Sequence, residues 1–376
     1  MIYDNTQRRL TPLARLLQQR IRERGPMEVS AFIHTCLLDP EFGYYRRQPA
    51  IGRSADFVTA PEISQVFGEL LGLWTAAVWL QIGAPSTIDL VELGPGRGTL
   101  MADAIRAMRT VPGLRPALRV HLVETNSTLQ EVQKEQMRIQ EVEALHWPDL
   151  QAFAEGSQKK QDPILLIANE FLDSLGVQQF VAINGAWHKR TIELDAKGRL
   201  QFGIAQEATV PSETAPRPCN DGATYEECPA ISEAIIPALR TLGARGPMAA
   251  LFIDYGFVNG EHGDTLQAVR KHASEHPLTS PGEADLTAHV DFNAVSATAH
   301  QANLIVDGPT TQAEFLGRLG IVERTSRLMS SNPDRAGELE IATHRLIAPN
   351  GMGTRFKVVG LRNTRCPPLP ALSLSH

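Results

Sequence analysis

The sequence predicts an α/β protein: a doubly wound, mostly parallel sheet with a helical cap before it and insertions within it. Three observations predict this. The apolar run Ile88-Asp89-Leu90-Val91-Glu92-Leu93 breaks into a loop with glycines at 94, 96 and 98, and the helix-like segment Leu100–Met108 follows. The run Pro163-Ile164-Leu165-Leu166-Ile167-Ala168 is apolar throughout, as a strand covered on both faces requires. Four strand-like runs end in polar residues, and open α/β sheets bind ligands at the carboxyl ends of their strands.

Residues 1–85 read as a helical cap. Leu10, Leu13, Leu16, Leu17 and Ile21 fall at helical spacing and predict a helix over 10–24. Arg8, Arg9, Arg15, Arg20, Arg22 and Arg24 give this stretch the basic cast of a transit peptide, but Asp4 and Glu23 interrupt it, and a structural helix is the reading. A second helix is predicted over 29–38. A third runs from Glu62 to Leu80 behind Pro61, with Val66, Phe67, Leu70, Leu71 and Trp74 on one face. Between them lies a loop through Glu41-Phe42-Gly43-Tyr44-Tyr45 and Asp56-Phe57-Val58-Thr59-Ala60-Pro61-Glu62.

From 86 the pattern is β-α-β. The glycine strand comes first, Leu118–Val123 ends at Glu124, and a helix over 127–137 precedes a short strand at Ala144–Trp147. The central strand at 163–168 ends in Asn169-Glu170-Phe171-Leu172-Asp173. Gln179–Ile183, Trp187–Leu194 and Leu200–Ala205 alternate as antiparallel strands do. A helix at 231–242 and a buried strand at 249–253, ending at Asp254-Tyr255-Gly256, return to the core. Residues 258–290 are polar and long for a passive loop. Late strands at 303–306 and 356–361, with helices between them, complete a core spanning 86–365, with insertions at about 184–246 and 258–298.

At 376 residues the chain can bury a sizeable core, in one large domain with additions or in two. The net charge of −6 gives no footprint for nucleic acid. Cys36, Cys219, Cys228 and Cys366 form no C-x-x-C pair, so neither a zinc site nor a disulfide framework is indicated, and reduced thiols are expected. No apolar run reaches membrane-spanning length, so no membrane insertion is expected. Oligomeric state cannot be read from such patterns.

The glycine loop selects a ligand. A dinucleotide loop reads G-x-G-x-x-G, whereas here the sixth position is Thr99 and the third glycine comes one residue early. Glu92 stands two residues before the loop, a poor neighbour for a pyrophosphate but a good one for an ammonium or sulfonium. The helix N-terminus beyond the glycines suits a carboxylate. Together these point to S-adenosylmethionine, with Gly94, Gly96, Gly98 and Glu92 as cofactor-binding residues. A glycine turn of an unrelated α/β protein is the bland alternative.

Further candidates sit at the strand ends. Glu124 can accept both ribose hydroxyls, or be an exposed carboxylate only. Asn169, Glu170 and Asp173 lie beside the expected donor. A guanidinium nucleophile is protonated at neutral pH, so carboxylates such as Glu170 and Asp173 would have to orient it and favour proton loss; helix capping is the competing role. The segment Pro281–Phe292 gathers Glu283, Asp285, His289 and Asp291, which suit a general-base pair, a metal site or structural hydrogen bonding. His262, His272 and His276 match no metal-site pattern, and no metal is expected.

Five of these motifs occur in one order: Asp56-Phe57-Val58-Thr59-Ala60-Pro61-Glu62-Ile63-Ser64, the glycine loop, Asn169–Asp173, Asp254–Gly256 and Asp285–Phe292. In this the chain, from about residue 10 to 362, resembles the MidA-like class I methyltransferases, the family of the mitochondrial complex I assembly factor that methylates an arginine. The resemblance implies a Rossmann-like class I methyltransferase sheet of seven strands, the last antiparallel, and S-adenosylmethionine as donor. It implies symmetric dimethylation of an arginine in the quinone-module subunit of complex I during assembly. By position, Gly94, Gly96, Gly98 and Glu92 would hold the methionine part and Glu124 the ribose, while Thr59, Pro61 and Glu62 would close over the site. Ala55 departs from the family pattern, where a glycine is expected.

The expected activity is therefore protein-arginine methylation, with Glu170, Asp173, Asp285 and His289 as catalytic candidates. A non-catalytic complex I assembly chaperone with a vestigial donor pocket and a small-molecule methyltransferase are the alternatives. Without a recognisable leader, a bacterial cytoplasmic protein is expected, or a mitochondrial matrix protein if the source is eukaryotic.

Overall fold

In the computed structural model, seven strands form the continuous path of the sheet that carries the glycine loop: β1 (Ile88–Leu93), β2 (Leu118–Val123), β3 (Ala144–Trp147), β4 (Ile164–Asn169), β5 (Met248–Phe257), β6 (Ile305–Thr311) and β7 (Phe356–Arg362), with one further short strand off that path. Their order is β6-β7-β5-β4-β1-β2-β3. β1 runs parallel to β2 and β4, and β4 parallel to β5. β7 is antiparallel to both its neighbours, as the sequence resemblance implies. The structure describes residues 7–46, 59–156, 161–211, 215–217, 220–258 and 263–372.

The chain divides into two compact units. The sheet belongs to the unit built from Val58–Leu172, Glu233–Val258 and Val295–His376. All six residues of β1 and of β4 are buried, which explains why both are mostly apolar, with Asp89 and Glu92 the exceptions in β1 and Asn169 in β4. The helix expected from 62 to 80 is two helices, Ala60–Ile63 and Gln65–Gln81. Ser64 lies between them in an extended conformation, and its hydroxyl accepts the Val66 N–H, capping the second. That helix packs closely on Thr99–Met108: a Cβ on Gly72 would stand 2.4 Å from the Ala104 carbonyl oxygen. Helix 231–242 begins as a π turn, Ile231–Ile235, before Ile236–Gly243.

Two acids inside β1 have opposite situations. Asp89 is buried but satisfied: Arg119 donates through Nε at 2.7 Å and its terminal nitrogen at 2.9 Å, and His121 Nε2 lies at 2.8 Å. Trp147 Nε1 donates to His121 Nδ1, which leaves Nε2 to carry the hydrogen toward Asp89. Burial pushes the Asp89 carboxyl up, but the His121 and Arg119 hydrogen bonds outweigh it and hold it below the usual range. A depressed carboxyl contributes stability above its unfolded value and loses it as acid protonates the group. Asp89→Ala is expected to cost roughly 2 kcal/mol, because it removes the acceptor of buried His121 and leaves Arg119 only Asp162 as a partner. Thermal unfolding checks this, with the loss shrinking below about pH 4.

The second unit comprises Met1–Phe57, Asp173–Ser232 and Asn259–Ala294. Its helices Pro12–Arg24 and Val29–Leu38 contribute Leu13, Leu17, Phe32, Ile33 and Leu37 to one apolar core. The expected antiparallel strands are present as Gln178–Ile183, Ala186–Leu194 and Leu200–Ala208. The polar stretch after 258 is more ordered than a loop: Gln267–Arg270 pairs with both Ala273–Glu275 and Asp285–Thr287. Among the described residues no helix is long and apolar enough to cross a membrane.

Candidate active site

The glycine loop leaves β1 through three left-handed residues, Gly94 (φ 61°), Gly96 (φ 53°) and Gly98 (φ 79°). The Gly94 N–H reaches the Val123 carbonyl of β2 at 3.1 Å, and the Gly98 N–H closes a turn on the Pro95 carbonyl at 2.7 Å. Gly98 then caps helix Thr99–Met108. Only glycine adopts these angles without strain. Gln133 Nε2 donates to the Gly96 carbonyl at 2.7 Å and fixes the loop from the following helix. A Cβ on Gly94 would lie 2.9 Å from Cδ2 of Phe171.

Glu92 is the unsatisfied acid of β1. It is 3% exposed, and burial pushes its carboxyl up to about 8, offset only by the Met101 amide. Its Oε2 meets no hydrogen-bond partner among the described residues, and neither does Oδ1 of Asn169. Glu92 pairs in register with Ile167, so Asn169, two residues on, shares its sheet face. Two orphaned buried acceptors beside a glycine loop fit a cationic ligand with N–H groups to donate. A methionine-type ammonium meets that description, and a sulfonium adds a second positive charge without donors.

A pH dependence follows. In the free protein Glu92 is protonated below about 8, whereas in the unfolded chain it ionises near its ordinary 4.5, so its contribution to folding stability is lost as pH rises between those values. A cationic donor favours the ionised form, so binding expels a proton. Donor affinity is expected to rise with pH up to about 8, by at most about tenfold per unit. Calorimetry in buffers of different ionisation enthalpy counts the proton, and Glu92→Gln should remove Glu92's share.

The other strand ends converge in the same unit. Glu124 follows β2; its Oε1 accepts the Asn126 N–H at 2.7 Å and its Oε2 lies 3.3 Å from Gln133 Nε2. Glu170 follows β4 with φ 51°, a left-handed conformation rare for a residue with a side chain. Its N–H donates to the Ile253 carbonyl at 2.8 Å, and its Oε1 accepts the Ala60 N–H at 2.9 Å. Thr59 starts the short helix Ala60–Ile63 that holds Pro61 and Glu62. Glu62 Oε1 accepts the Thr99 hydroxyl at 2.5 Å, beside the glycine loop. Thr59–Glu62 thus reaches both the β4 end and the β1 end.

Asp173, Asp285 and His289 lie in the other unit. The Asp173 carbonyl accepts the Ala288 N–H at 3.2 Å, which joins two of the sequence motifs. Tyr45 donates its hydroxyl to Asp285 Oδ1 at 3.3 Å. Burial, then the Asp285 and Asp173 charges, push that hydroxyl well above its ordinary range. Sequence reasoning gives Tyr45 no role; its one signal is the tyrosine pair Tyr44-Tyr45 after Gly43 in the cap. The His289 ring is exposed, while its N–H donates to the Thr265 hydroxyl at 2.9 Å. Among the described residues no cluster of three or more His, Cys, Asp or Glu could hold a metal. Residues 55–58, Cys219 and His262 fall outside the described residues.

A mostly parallel sheet with an antiparallel β7, a glycine loop after β1 and acids at the strand ends define a class I methyltransferase. The comparisons agree: residues 70–310 match the family of S-adenosyl-L-methionine-dependent methyltransferases, and the chain belongs to that family. It is an S-adenosylmethionine-dependent methyltransferase. It is 33% identical to the mitochondrial protein arginine methyltransferase NDUFAF7 of Xenopus laevis, over 94% of this chain and 87% of that protein. The human NDUFAF7 is 32% identical, over 94% of this chain and 83% of that protein. The fold also resembles a Burkholderia thailandensis protein crystallised with S-adenosyl-homocysteine bound, with TM-score 0.81, 26% identity, and coverage of 96% of this chain and 94% of that one.

Proposed function

We propose that the protein methylates an arginine side chain of a protein, forming symmetric dimethylarginine on the quinone-module subunit of complex I during assembly. The observation that carries this reading is Glu170: a carboxylate fixed in a left-handed turn at the end of the central strand, beside the glycine loop. A guanidinium is cationic at neutral pH and a poor nucleophile until it sheds a proton. A fixed carboxylate orients it by charge-assisted hydrogen bonds and takes that proton as the new C–N bond forms. The names of the curated relatives support the same substrate class.

The bound donor supplies an electrophilic methyl group on its sulfonium. In this reading Gly94, Gly96 and Gly98 let the loop backbone approach its methionine part with no Cβ in the way, Glu92 and Asn169 accept from its cationic end, and Glu124 holds the ribose. Thr59, Pro61 and Glu62 exclude water from above the loop. Glu170 is the proposed base. Asp173, Asp285 and His289 keep their proposed roles in substrate binding and proton transfer from sequence alone.

The test uses the purified quinone-module subunit, S-adenosylmethionine and this protein, with amino-acid analysis of the product. Symmetric dimethylarginine is expected. Asymmetric product would overturn the regiochemical part, and an unmodified subunit would overturn the substrate.

A further inference from the structure

Asp254, near the end of β5, belongs to a sequence motif with no role so far. Its side chain is 1% exposed. Oδ2 accepts the N–H groups of Phe171 at 3.1 Å and Leu172 at 2.9 Å, and Oδ1 accepts the Tyr255 N–H at 3.0 Å. A buried carboxylate is tolerated only when it is hydrogen-bonded, and here three amides satisfy it. Two of them belong to the residues immediately after Glu170. Glu170 itself donates to the carbonyl of Ile253, so β5 grips this turn through two successive residues.

We propose that Asp254 is a positioning residue for methyl transfer. Its carboxylate clamps the turn after β4, and so holds Glu170 left-handed with its carboxylate on the Ala60 amide, and keeps the Phe171 ring against Gly94. This rests on Glu170 acting as the base. Without the clamp, the Phe171 and Leu172 amides lose their acceptor, and Glu170 can relax from φ 51° toward ordinary backbone angles. Its carboxylate then leaves the position from which it meets a substrate. The glycine loop keeps its own bonds to Val123 and Gln133, so donor binding persists.

The test compares the full chain with Asp254→Ala and Asp254→Asn. Amide hydrogen exchange at Phe171 and Leu172 should accelerate at least about tenfold in Asp254→Ala, with the amides of 94–98 unchanged. Affinity for S-adenosylhomocysteine should stay within about threefold. Methyl transfer to protein should lose on the order of 100-fold in kcat, with KM little changed. Asp254→Asn keeps an acceptor oxygen for Phe171 and Leu172 and should recover most of the rate. If Asp254→Ala does not fold, Asp254→Ser gives the same reading, since its hydroxyl cannot reach both amides. An unchanged kcat in a folded variant overturns the proposal, as does a loss that merely follows lost donor affinity. If Glu170→Gln transfers normally while Asp254→Ala is slow, the base assignment fails, and with it the action of Asp254 through Glu170. If Glu170→Gln is dead and Asp254→Ala is normal, the clamp alone fails.

Discussion

Gly96→Val is expected to abolish binding of S-adenosylmethionine, with affinity falling at least about 100-fold, or about 2.7 kcal/mol. Gly96 has φ 53° and is buried in the loop. A residue with a Cβ pays roughly 1–2 kcal/mol for that conformation, and a β-branched one is worse placed still. The loop then strains or flips, and either response moves its N–H groups away from the ligand. The added isopropyl group also occupies space where backbone must approach the donor. The defect should be local: β1 and β4 are buried along their length and keep the sheet. Calorimetry with S-adenosylhomocysteine checks the binding, and the melting temperature reports the fold. Wild-type affinity in a folded variant would remove the loop from the donor site.

Glu170→Gln is expected to leave donor affinity within about threefold and to lower kcat by a factor on the order of 10²–10⁴. Glutamine is isosteric, and its amide oxygen can still accept the Ala60 N–H, so the turn and the cap segment stay in position. It carries no charge to orient a guanidinium and has no lone pair basic enough to take its proton. A split between intact binding and lost turnover therefore reads the chemistry and not the fold. Unchanged turnover would move the base to another carboxylate, with Asp173 and Asp285 the next to test.

Much of the sheet is legible in the sequence because its strands are buried on both faces. β1, β4 and β5 are apolar enough to be found by composition alone, and their order in the chain implies parallel neighbours. The glycine spacing and Glu92 separate this loop from a dinucleotide loop by local chemistry. Ser64 is a different case: its capping signal was readable, but a strong apolar periodicity ran across it and concealed the break. The left-handed Glu170 was not legible, because its bonds to Ala60 and Ile253 come from segments far away in sequence. Asp254 is visible in sequence as a strand-end acid and as part of an ordered motif, but its role is not, because its three amide partners are set by the β4–β5 pairing. The small sheet after 258 was missed because its strands are three or four residues long, too short for periodicity to register.

The most direct test of the account is a transfer measurement. Extract from cells lacking this protein is incubated with S-adenosylmethionine labelled in its methyl group and either the purified protein or its Gly96→Val variant, and the label is located by mass spectrometry. The account predicts label on an arginine of a complex I subunit with the wild-type protein and none with the variant. Label on a small molecule, or no protein labelled although the donor binds, would contradict it and favour a small-molecule methyltransferase or a non-catalytic assembly chaperone.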